Sequence, residues 1–588
     1  MLSVLRPLLG CFCLLIVVIA NSNCDRRKSD GGRSTSTAQQ HSSGNQLVIS
    51  KSAGPRTFNR LISADEQTNS IADCLMGRLI RINRQTQQPE GELATAWQTS
   101  SDGKTLICEL RRDVKFSDGH PFTADDVVFT FQVLNDSSIG SPSSDPFDFD
   151  GQRTKVEKLD SHKVRFVFPA PYAAAERLLD GIPILPKHIL EPVYLEGKFE
   201  QAWTLSTPPE TIVGLGPFKL KEYVAGQRVI LSRNEHYWKT DKAGKRLPYL
   251  DELIISIDPD RNTQLLKFQQ GETDLLSPVN ADDVPALAAM EQQGKIKITD
   301  LGPSMIREIF WFNLNGSIKP KSGQPKSGHT LVDPVKLRWF KDVRFRQAVS
   351  YAIDREAIVR LVFSGKASPQ WGFLSPGDRL WFNPEVKKYP YNLDRAKSLL
   401  VEAGFHYQID KGLFDPQGQP VTFTMITNAG NTIRQKMSAL IQADLARLGI
   451  KVNLATLESR ALLSTINESL NYEACLLAIV SGDTDPTSHV NILSSRGITH
   501  WWHPQQTRPA TDWEARIDDL MKRQMNTLNP TERKRLFDEV QAIFAEQQPF
   551  VFLVSRHLIV ASRADIGNLK PALLPDFVLW NCEELYWR

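Results

Sequence analysis

The chain alternates stretches with apolar residues at every second position and stretches with apolar residues at helical intervals. Residues 46–50 predict a strand, and residues 71–82 carry apolar side chains three or four apart, which predicts a helix. In the second half, residues 441–448 predict an amphipathic helix that is closed by Gly449 and followed by a strand. Strands and helices therefore alternate on both sides of the midpoint, which predicts two α/β lobes.

Turn residues, a helix cap and apolar spacing predict the positions of two hairpins and two helices. Residues 94–110 predict a hairpin turning at Asp102 and Gly103, and residues 218–231 predict another around Gly226. Thr123 is a good helix N-cap, and Asp125 and Asp126 follow it in the first turn, where the helix dipole favours negative charge. Apolar residues of segment 346–358 recur at helical intervals and predict a further helix.

The first residues predict an export signal. The apolar run 8–20 follows Arg6, is too short to span a bilayer comfortably, and suits the hydrophobic part of a signal peptide. Ala20-Asn21-Ser22 fits cleavage by an ordinary signal peptidase, whereas Cys24 resembles the lipidated cysteine of a bacterial lipoprotein. We favour lipidation of Cys24, with a signal peptide at 1–23 and a flexible polar tether at 24–46.

Composition narrows the class of protein. The 588 residues are 41% hydrophobic and 23% charged, which allows a large buried core. Lys and Arg number 70 against 67 Asp and Glu, and no long basic block occurs, so nucleic acid is not an expected partner. The 12 Trp and 28 Phe suit both a large core and the walls of a ligand cleft.

The cysteines do not predict a metal site. Three lie in the leader, and the other four show neither CxxC nor another metal-ligand spacing. Buried free thiols are expected. A disulfide such as Cys74–Cys108 is the alternative, because an exported protein meets an oxidising compartment in which disulfides form. The four cysteines beyond the leader are Cys74, Cys108, Cys475 and Cys582.

Short motifs follow one another in the order found in a known family. They occupy residues 93–97, 102–105, 116–119, 123–127, 214–223, 226–238, 342–355, 396–405 and 449–452. These motifs resemble those of the family 5 extracellular solute-binding proteins, which are the peptide- and nickel-binding subunits of bacterial ABC importers. The resemblance covers residues 47–588.

The resemblance implies an α/β, two-lobed periplasmic binding protein-like fold (type II, cluster C), with the first lobe divided into two subdomains. The chain is expected to cross between the lobes near residues 311–315 and again near Pro549, and two crossings make a hinge. The expected parts are lobe I part a at 47–90, 214–314 and 547–588, lobe I subdomain b at 91–213, and lobe II at 315–546.

The implied function is the substrate-binding component of a bacterial ABC importer. It would capture a peptide-like or other small solute by hinge closure and deliver it to a membrane permease, as a monomer in the periplasm or cell envelope, lipid-anchored to the membrane. Two alternatives stay open: a ligand-sensing lipoprotein that signals to a partner, and a binder of a non-peptide solute or metal complex. A secreted hydrolase is the enzymatic alternative, but GxSxG, GxxxxGK[ST], HExxH and GxGxxG are absent from the sequence, so neither an enzyme nor a cofactor is expected.

One loop carries the expected ligand anchor. In the family, an Asp four residues before a Pro pairs with the free α-amino group of the ligand, and here that position, before Pro486, is Gly482. Asp483 and Asp485 are the neighbouring carboxylates that could replace the missing anchor. Asp485 could equally cap the turn ahead of Pro486.

Aromatic and amide side chains complete the candidate ligand site. Trp371, Trp501 and Trp502 are candidate walls of the cleft, with core packing as the alternative, and Asn313 is a candidate at the hinge. His500 and His503 have a spacing that could hold a metal on a helix, but Pro504 favours a loop and no third ligand completes the set, so no metal is expected.

Overall fold

The computed structural model describes residues 45–63, 65–149, 151–316 and 331–588. The predicted signal peptide at 1–23, almost all of the predicted tether at 24–46 and the predicted lipidation site Cys24 lie outside the described residues. Within the described ranges, no helix is both long enough and apolar enough to cross a membrane.

The described chain forms many short strands and two long ones. The strands are β1 Gln46–Lys51, β2 Ile80–Ile82, β3 Pro89–Gly91, β4 Ala94–Thr99, β5 Thr105–Leu110, β6 Asp148–Phe149, β7 Gln152–Arg153, β8 Lys155–Asp160, β9 Lys163–Val167, β10 Phe218–Val224, β11 Arg228–Arg233, β12 Glu252–Ile257, β13 Leu275–Leu276, β14 Ile296–Phe312, β15 Ala367–Pro369, β16 His406–Gln408, β17 Gly412–Phe414, β18 Thr422–Asn428, β19 Lys451–Leu457, β20 Ala474–Val480, β21 Val551–Arg563, β22 Ile566–Gly567 and β23 Tyr586–Trp587.

Helices of four to eighteen residues connect these strands. They are α1 Glu66–Leu75, α2 Ala124–Asn135, α3 Ala175–Leu178, α4 Lys187–Leu195, α5 Arg261–Gln270, α6 Val284–Gln292, α7 Pro334–Lys341, α8 Val343–Ala352, α9 Arg355–Phe363, α10 Leu393–Glu402, α11 Thr432–Ala446, α12 Ser459–Ser464, α13 Val490–Leu493, α14 Asp512–Asn526 and α15 Pro530–Gln547. Short 3₁₀ turns and one π turn, at Thr465–Ser469, fill several of the connections.

The two long strands, β14 and β21, lie side by side in the large sheet. They pair antiparallel from Ile296 opposite Arg563 to Phe310 opposite Val551. The large sheet has the order β10-β11-β12-β1-β13-β21-β14-β20-β18-β19, so β13 adjoins this pair at one end and β20 adjoins it at the other. The register shifts around Pro303, which makes the middle of the pair irregular.

The apolar core divides at that irregular middle. One cluster contains buried residues from Ile309 to Val554, and we call this part lobe II. Another runs from Leu47 to Leu275 and resumes at Val560, and we call this part lobe I. The two strands therefore leave one core and enter the other near residues 303–308 and 555–558, while residues 311–315, where the first crossing was expected, lie within lobe II.

Lobe I is built on two sheets that share one core. Besides its half of the large sheet, it contains a four-stranded sheet in the order β4-β5-β9-β8, on which α2 packs. Leu47 and Ile255 of the large sheet belong to the same cluster as Phe129 of α2 and Phe166 of β9. A shared apolar core fixes the small sheet against the large one.

Several local predictions are confirmed. Thr123 caps α2 in a capping box with Asp126, and the hairpins β4–β5 and β10–β11 form where they were predicted. The helix predicted at 441–448 is the second half of α11. Gly449 follows it with φ of 72°, and a Cβ there would lie 2.6 Å from the backbone nitrogen of Leu413.

Two predicted helices are shorter than the apolar spacing suggests. The helix over 71–82 ends at Leu75, and Ile80–Ile82 pairs with Pro89–Gly91 as a strand. The helix over 346–358 is broken at Asp354, whose carboxylate caps α9 by accepting a hydrogen bond from the backbone of Ala357 at 2.9 Å. The first helix is cut short by strand pairing and the second by a local helix cap, and both override the apolar spacing.

The lobes also touch away from the crossing strands. The backbone nitrogen of Ala173 in lobe I donates to the carbonyl of Met525 in lobe II at 2.8 Å. The hydroxyl of Ser364 in lobe II donates to the carboxylate of Asp282 in lobe I at 2.9 Å. The two lobes are therefore in direct contact at points outside β14 and β21.

Candidate functional site

A cavity of about 290 Å³ lies at the crossing strands and is walled by both lobes. Lobe I supplies residues 278–283, while lobe II supplies the end of α9, the start of α11 and the end of β20. The wall also contains residues 304–306 of β14, residues 556–559 of β21, Lys366, Leu573, Pro575 and Phe577. We call this space the hinge cavity. A concave space between two domains that can move apart is a common place for a ligand.

The walls of the hinge cavity are largely apolar. Val480 is 62% exposed although it is aliphatic, so it is available to contact a ligand without leaving a core position. Such walls grip a ligand through dispersion and burial, and a few polar groups orient it. The apolar lining residues include Val279, Met305, Ile306, Val362, Phe363, Ile433, Val480, Leu558, Ile559, Leu573 and Phe577.

A second cavity, of about 330 Å³, adjoins the first inside lobe I. The end of β1, α1 and the start of α5 line this lobe I cavity, which shares Pro278 and Phe577 with the hinge cavity. Three polar atoms of its lining residues, Ser70 Oγ, Ser277 Oγ and Arg261 Nη2, are buried without a hydrogen-bond partner among the described residues. The two cavities together offer an apolar compartment and a more polar one.

The acidic residues Asp282 and Asp283 and the basic residues Lys366 and Arg556 line the hinge cavity, and a further ion pair lies outside its wall. Arg434 Nε donates to the buried carboxylate of Glu308 at 3.1 Å, so this pair is internally neutralised. Arg556, on the wall, has a lowered pKa because burial disfavours its charge, an effect that Glu308 partly offsets and Arg434 reinforces.

The loop after β20 places the candidate amine anchor. Gly482 is exposed, and a Cβ added there would meet no atom within 4 Å. The carboxylate of Asp483 forms an ion pair with Arg177 of lobe I. Arg177 Nε donates to Asp483 Oδ2 at 3.2 Å, and Arg177 Nη2 donates to Asp483 Oδ1. The carboxylate nearest the family's anchor position therefore already has a partner.

The carboxylate of Asp485 binds groups within lobe II. Arg533 donates to its two oxygens at 2.8 and 3.0 Å, and its Oδ1 accepts a hydrogen bond from the backbone of Thr487 at 3.0 Å. Burial alone would raise the pKa of Asp485, but Arg533 and the hydrogen bonds hold it below its ordinary value. The turn-capping alternative describes this residue in the structure.

The sequence profile of the bacterial extracellular solute-binding proteins, family 5 Middle, matches residues 88–500, which is more than half of the chain. The chain belongs to the family 5 extracellular solute-binding proteins. The oligopeptide-binding protein AppA of Bacillus subtilis is 28% identical over 594 residues, covering 98% of this chain and 97% of AppA. A probable ABC transporter-binding protein of Deinococcus radiodurans is 29% identical over 523 residues, covering 85% of each chain.

Solved structures show the same architecture. CtaP of Listeria monocytogenes superposes with a TM-score of 0.75 at 23% identity, covering 92% of this chain and 99% of CtaP. AppA of Bacillus subtilis in complex with a nonapeptide gives a TM-score of 0.69 at 27% identity, covering 93% and 99%. The predicted family and two-lobed α/β fold are confirmed, and the protein is the substrate-binding component of an ABC importer.

The candidate tryptophans of this solute-binding protein lie in lobe II. Trp371 packs against the guanidinium of Arg355, which lies 4.7 Å from the ring centroid. Trp501 stacks on Trp311 at 5.4 Å, and Trp502 is fully buried. The structure brings none of the three candidates into the walls of the two cavities.

Asn313 also has an internal role. Its side-chain nitrogen donates to the carbonyls of Leu470 and Tyr472 at 2.9 and 3.1 Å, and its oxygen accepts from the backbone of Asn315. The amide satisfies backbone groups inside lobe II, which explains a polar residue in this buried position. Asn313 lines neither the hinge cavity nor the lobe I cavity.

The histidine pair of this solute-binding protein does not form part of a metal cluster. His500 Nε2 lies 3.3 Å from Glu514 Oε1, and the same carboxylate accepts from Trp502 Nε1 at 3.1 Å. Among the residues that the structure describes, no group of three or more His, Cys, Asp or Glu side chains is arranged to hold a metal. The four described cysteines are free and buried, and Cys74 Sγ lies 3.7 Å from Cys582 Sγ.

Arg261 and Arg556 line the cavities but are not predicted as site residues from the sequence. A signal for the second was present, because residues 551–562 of β21 are apolar except at positions 555–557 and 562. A polar break in the middle of a long apolar strand indicates where the strand leaves one core and enters another. Arg261 follows Asp260 at a helix start and carries no comparable signal.

Proposed function

We propose that this protein binds a peptide-like solute in the hinge cavity, closes its lobes over it and presents it to the membrane permease without catalytic turnover. The observation that carries the proposal is the hinge cavity itself, with apolar walls from both lobes on either side of two crossing strands. AppA, which is similar over almost the whole chain, is named for oligopeptides, and its structure holds a nonapeptide. This similarity supports a peptide-like ligand.

Closure is a shift between open and closed populations. A ligand held between the lobes favours the closed form by the difference in its affinity for the two forms. The pair Arg177–Asp483 joins lobe I to lobe II and acts as a latch in the closed form. The lobes turn about the irregular middle of β14 and β21, where the register shifts.

The ligand's α-amino group is not the main anchor in this proposal. Gly482 offers no carboxylate, and the latch occupies Asp483. Asp485 is buried against Arg533. Backbone groups and apolar walls then hold the ligand, which lowers selectivity for a free N-terminus.

The protein acts in the periplasm or cell envelope as a monomer, tethered through a lipid on Cys24. The short apolar run and the polar tether that flank Cys24 support this location. Cys24→Ala should release the protein from the membrane fraction. Unchanged membrane association of that variant would show that the anchor is placed wrongly.

Ligand capture can be tested on the purified full chain. Native mass spectrometry should detect a retained peptide-like molecule, and calorimetry with that molecule should give its affinity. Val480→Trp should weaken binding by about tenfold or more, because an indole occupies the hinge cavity at an already exposed position. Ile498→Trp, at a 77% exposed position outside both cavities, is the matched control.

The outcome at these two positions decides the location of the site. Equal affinities of the Val480→Trp variant and the wild type would exclude the hinge cavity. Uptake by a deletion strain, complemented by wild type or variant, then tests delivery. A product that accumulates from the bound molecule would contradict the absence of turnover.

A further inference from the structure

Two buried thiols lie side by side in lobe I. Cys74 is near the end of α1, and Cys582 begins the short 3₁₀ turn Cys582–Glu584 close to the end of the chain. Their sulfur atoms are 3.7 Å apart, although 508 positions separate the two residues in the sequence. Cys74 is 1% exposed and Cys582 is 3% exposed. The fold therefore brings two thiols from distant parts of the chain into direct contact.

The contact is close enough to become a disulfide. An S–S bond is about 2.05 Å long, and rotation about the Cα–Cβ bond of either cysteine shifts its sulfur atom by an amount comparable with the remaining gap. The Cys74 thiol also lies 3.6 Å from the carbonyl of Ser70, one turn earlier in α1. Thiols are weak hydrogen-bond donors, so this local contact holds the Cys74 side chain only loosely. Small rotations of the two side chains can bring the sulfur atoms within bonding distance.

The other two described cysteines have different surroundings. Cys108 lies on β5 in the core of lobe I, and Cys475 lies on β20 in the core of lobe II. Since they belong to separate cores, they are not placed to bridge each other. They serve as internal references for the adjacent pair.

The two adjacent cysteines belong to parts of the chain that form one cavity. Residues 66, 67 and 70 of α1 and residues 576–579 of the C-terminal segment, which we define as residues 566–588, all line the lobe I cavity. Glu583, next to Cys582, pairs with Arg81 at 2.9 Å and with Lys239 at 2.6 Å. These ion pairs hold the C-terminal segment on lobe I. A covalent bond at the neighbouring position would fasten two walls of the cavity to each other.

We propose that Cys74 and Cys582 form a disulfide in the exported protein and thereby fasten the C-terminal segment to α1. The family to which the chain belongs is extracellular, and structural disulfides persist in oxidising compartments. The proposal does not depend on which ligand the protein captures.

The oxidant is an external disulfide, carried by a protein or by a small molecule. One thiolate of the chain attacks this disulfide, releases one external thiolate and forms a mixed disulfide. The second thiolate of the chain then attacks the bridged chain sulfur and releases the other external thiolate. The two thiols of the chain lose two electrons and two protons, and the external disulfide becomes two thiols.

The surroundings of Cys582 set the order of events. The contact with the Cys74 thiol, burial and the charge of Glu583 raise the pKa of Cys582 well above its ordinary value, and Arg81 opposes them only in part. The thiolate is the reactive form, so the folded, reduced protein exposes little of it to an oxidant. Oxidation should therefore be fast while the chain folds and slow once the C-terminal segment is packed.

Peptide mapping tests the bond directly. The full protein, exported by a bacterial host, is denatured in urea with N-ethylmaleimide, which blocks free thiols, and its peptides are analysed by mass spectrometry without reduction. The peptides of Cys74 and Cys582 should form one linked species that separates on reduction, whereas Cys108 and Cys475 should carry N-ethylmaleimide. Recovery of Cys74 and Cys582 as blocked thiols, or of Cys74 linked to Cys108, overturns the proposal.

Refolding tests the order of events. When the reduced, denatured chain refolds in oxidised glutathione, the linked species should form about tenfold faster or more than when oxidised glutathione is added after refolding. Equal rates overturn this order of events. Free Cys74 and Cys582 thiols after both treatments overturn the disulfide itself.

Thermal unfolding with and without dithiothreitol tests the fastening. Dithiothreitol should lower the melting temperature of the oxidised wild type by roughly 2–4 °C, because the bond closes a very long loop in the unfolded chain. Cys74→Ala and Cys582→Ala should each abolish this dependence on dithiothreitol, and Cys108→Ala, which alters a buried thiol of the same lobe, should keep it. Loss of packing in a variant is the same in both solutions, so the dependence reports the bond alone. A wild-type melting temperature that is equal in both solutions overturns the fastening.

Discussion

Replacing Asp483 with Asn should open the ligand-free protein. Arg177 of α3 in lobe I donates through Nε to Asp483 of lobe II at 3.2 Å and through Nη2 to Thr484 Oγ1 at 3.1 Å. Burial would lower the pKa of Arg177, but Asp483 raises it above its ordinary value. An Asn at this position keeps the size of the side chain and removes the charge that holds the two lobes together.

The burial of the pair sets the magnitude. The side chain of Arg177 is 7% exposed and that of Asp483 is 32% exposed, so solvent screens one end only. Exposed pairs contribute up to about 1 kcal/mol, and breaking a buried pair costs about 3–5 kcal/mol. We therefore expect about 1–2 kcal/mol, which lowers the closed-to-open ratio by about 5- to 30-fold. Ligand affinity should fall by up to the same factor, because the ligand binds the closed form.

Single-molecule fluorescence transfer can measure the open fraction. Leu195 of lobe I is 74% exposed and Ile409 of lobe II is 91% exposed, so Cys substitutions there accept dyes while the four described native thiols stay buried. Arg177→Gln should match Asp483→Asn, and the double variant should add little to either. Glu157→Gln, which breaks the exposed pair with Arg165 inside lobe I, is the control. An unchanged open fraction in Asp483→Asn, or fully additive effects, would refute the latch.

Two further predictions concern the ligand and the stability of lobe II. Because Gly482 replaces the amine-pairing Asp, free and N-acetylated forms of one bound peptide should have similar affinities by calorimetry, whereas a free-amine preference of about 30-fold or more would reveal a buried amine partner. Burial would raise the pKa of Glu514, but hydrogen bonds from His500, Gln506, Thr511 and Trp502 lower it to about 2 from a usual 4.5. The folded-state value lies below the unfolded one, so this stabilisation is present above pH 4.5, is lost as pH falls toward 2, and amounts to roughly 3 kcal/mol. In urea unfolding, the stability difference between wild type and Glu514→Gln should shrink between pH 4.5 and 2.5, and a constant difference would contradict the assignment.

Local chemistry made much of the fold predictable. The capping box at Thr123 depends on residues three apart, and the hairpin at Gly103 depends on a turn that tolerates positive φ, so a short window of sequence is enough. The helix predicted over 71–82 did not form in full, because Ile80–Ile82 pairs with Pro89–Gly91. The spacing of apolar residues does not reveal whether a strand partner will be present.

The site was less predictable than the fold. Asp483 was named from its position in the loop, but its partner Arg177 lies 306 residues earlier in the chain. Trp371, Trp501 and Trp502 have the composition of a ligand wall, yet in the structure each packs within lobe II. An aromatic residue satisfies either role, and only its neighbours distinguish them.

The sequence by itself determined the family, the alternation of strands and helices and the position of the anchor loop, because these depend on residues that are close along the chain. The tertiary structure alone decided where the lobes divide and which carboxylates already have partners. Those properties depend on burial and on charges brought together from distant segments, such as Arg177 and Asp483 between the two lobes. The cost of burying a charge is set by its surroundings, and the surroundings exist only once the chain has folded.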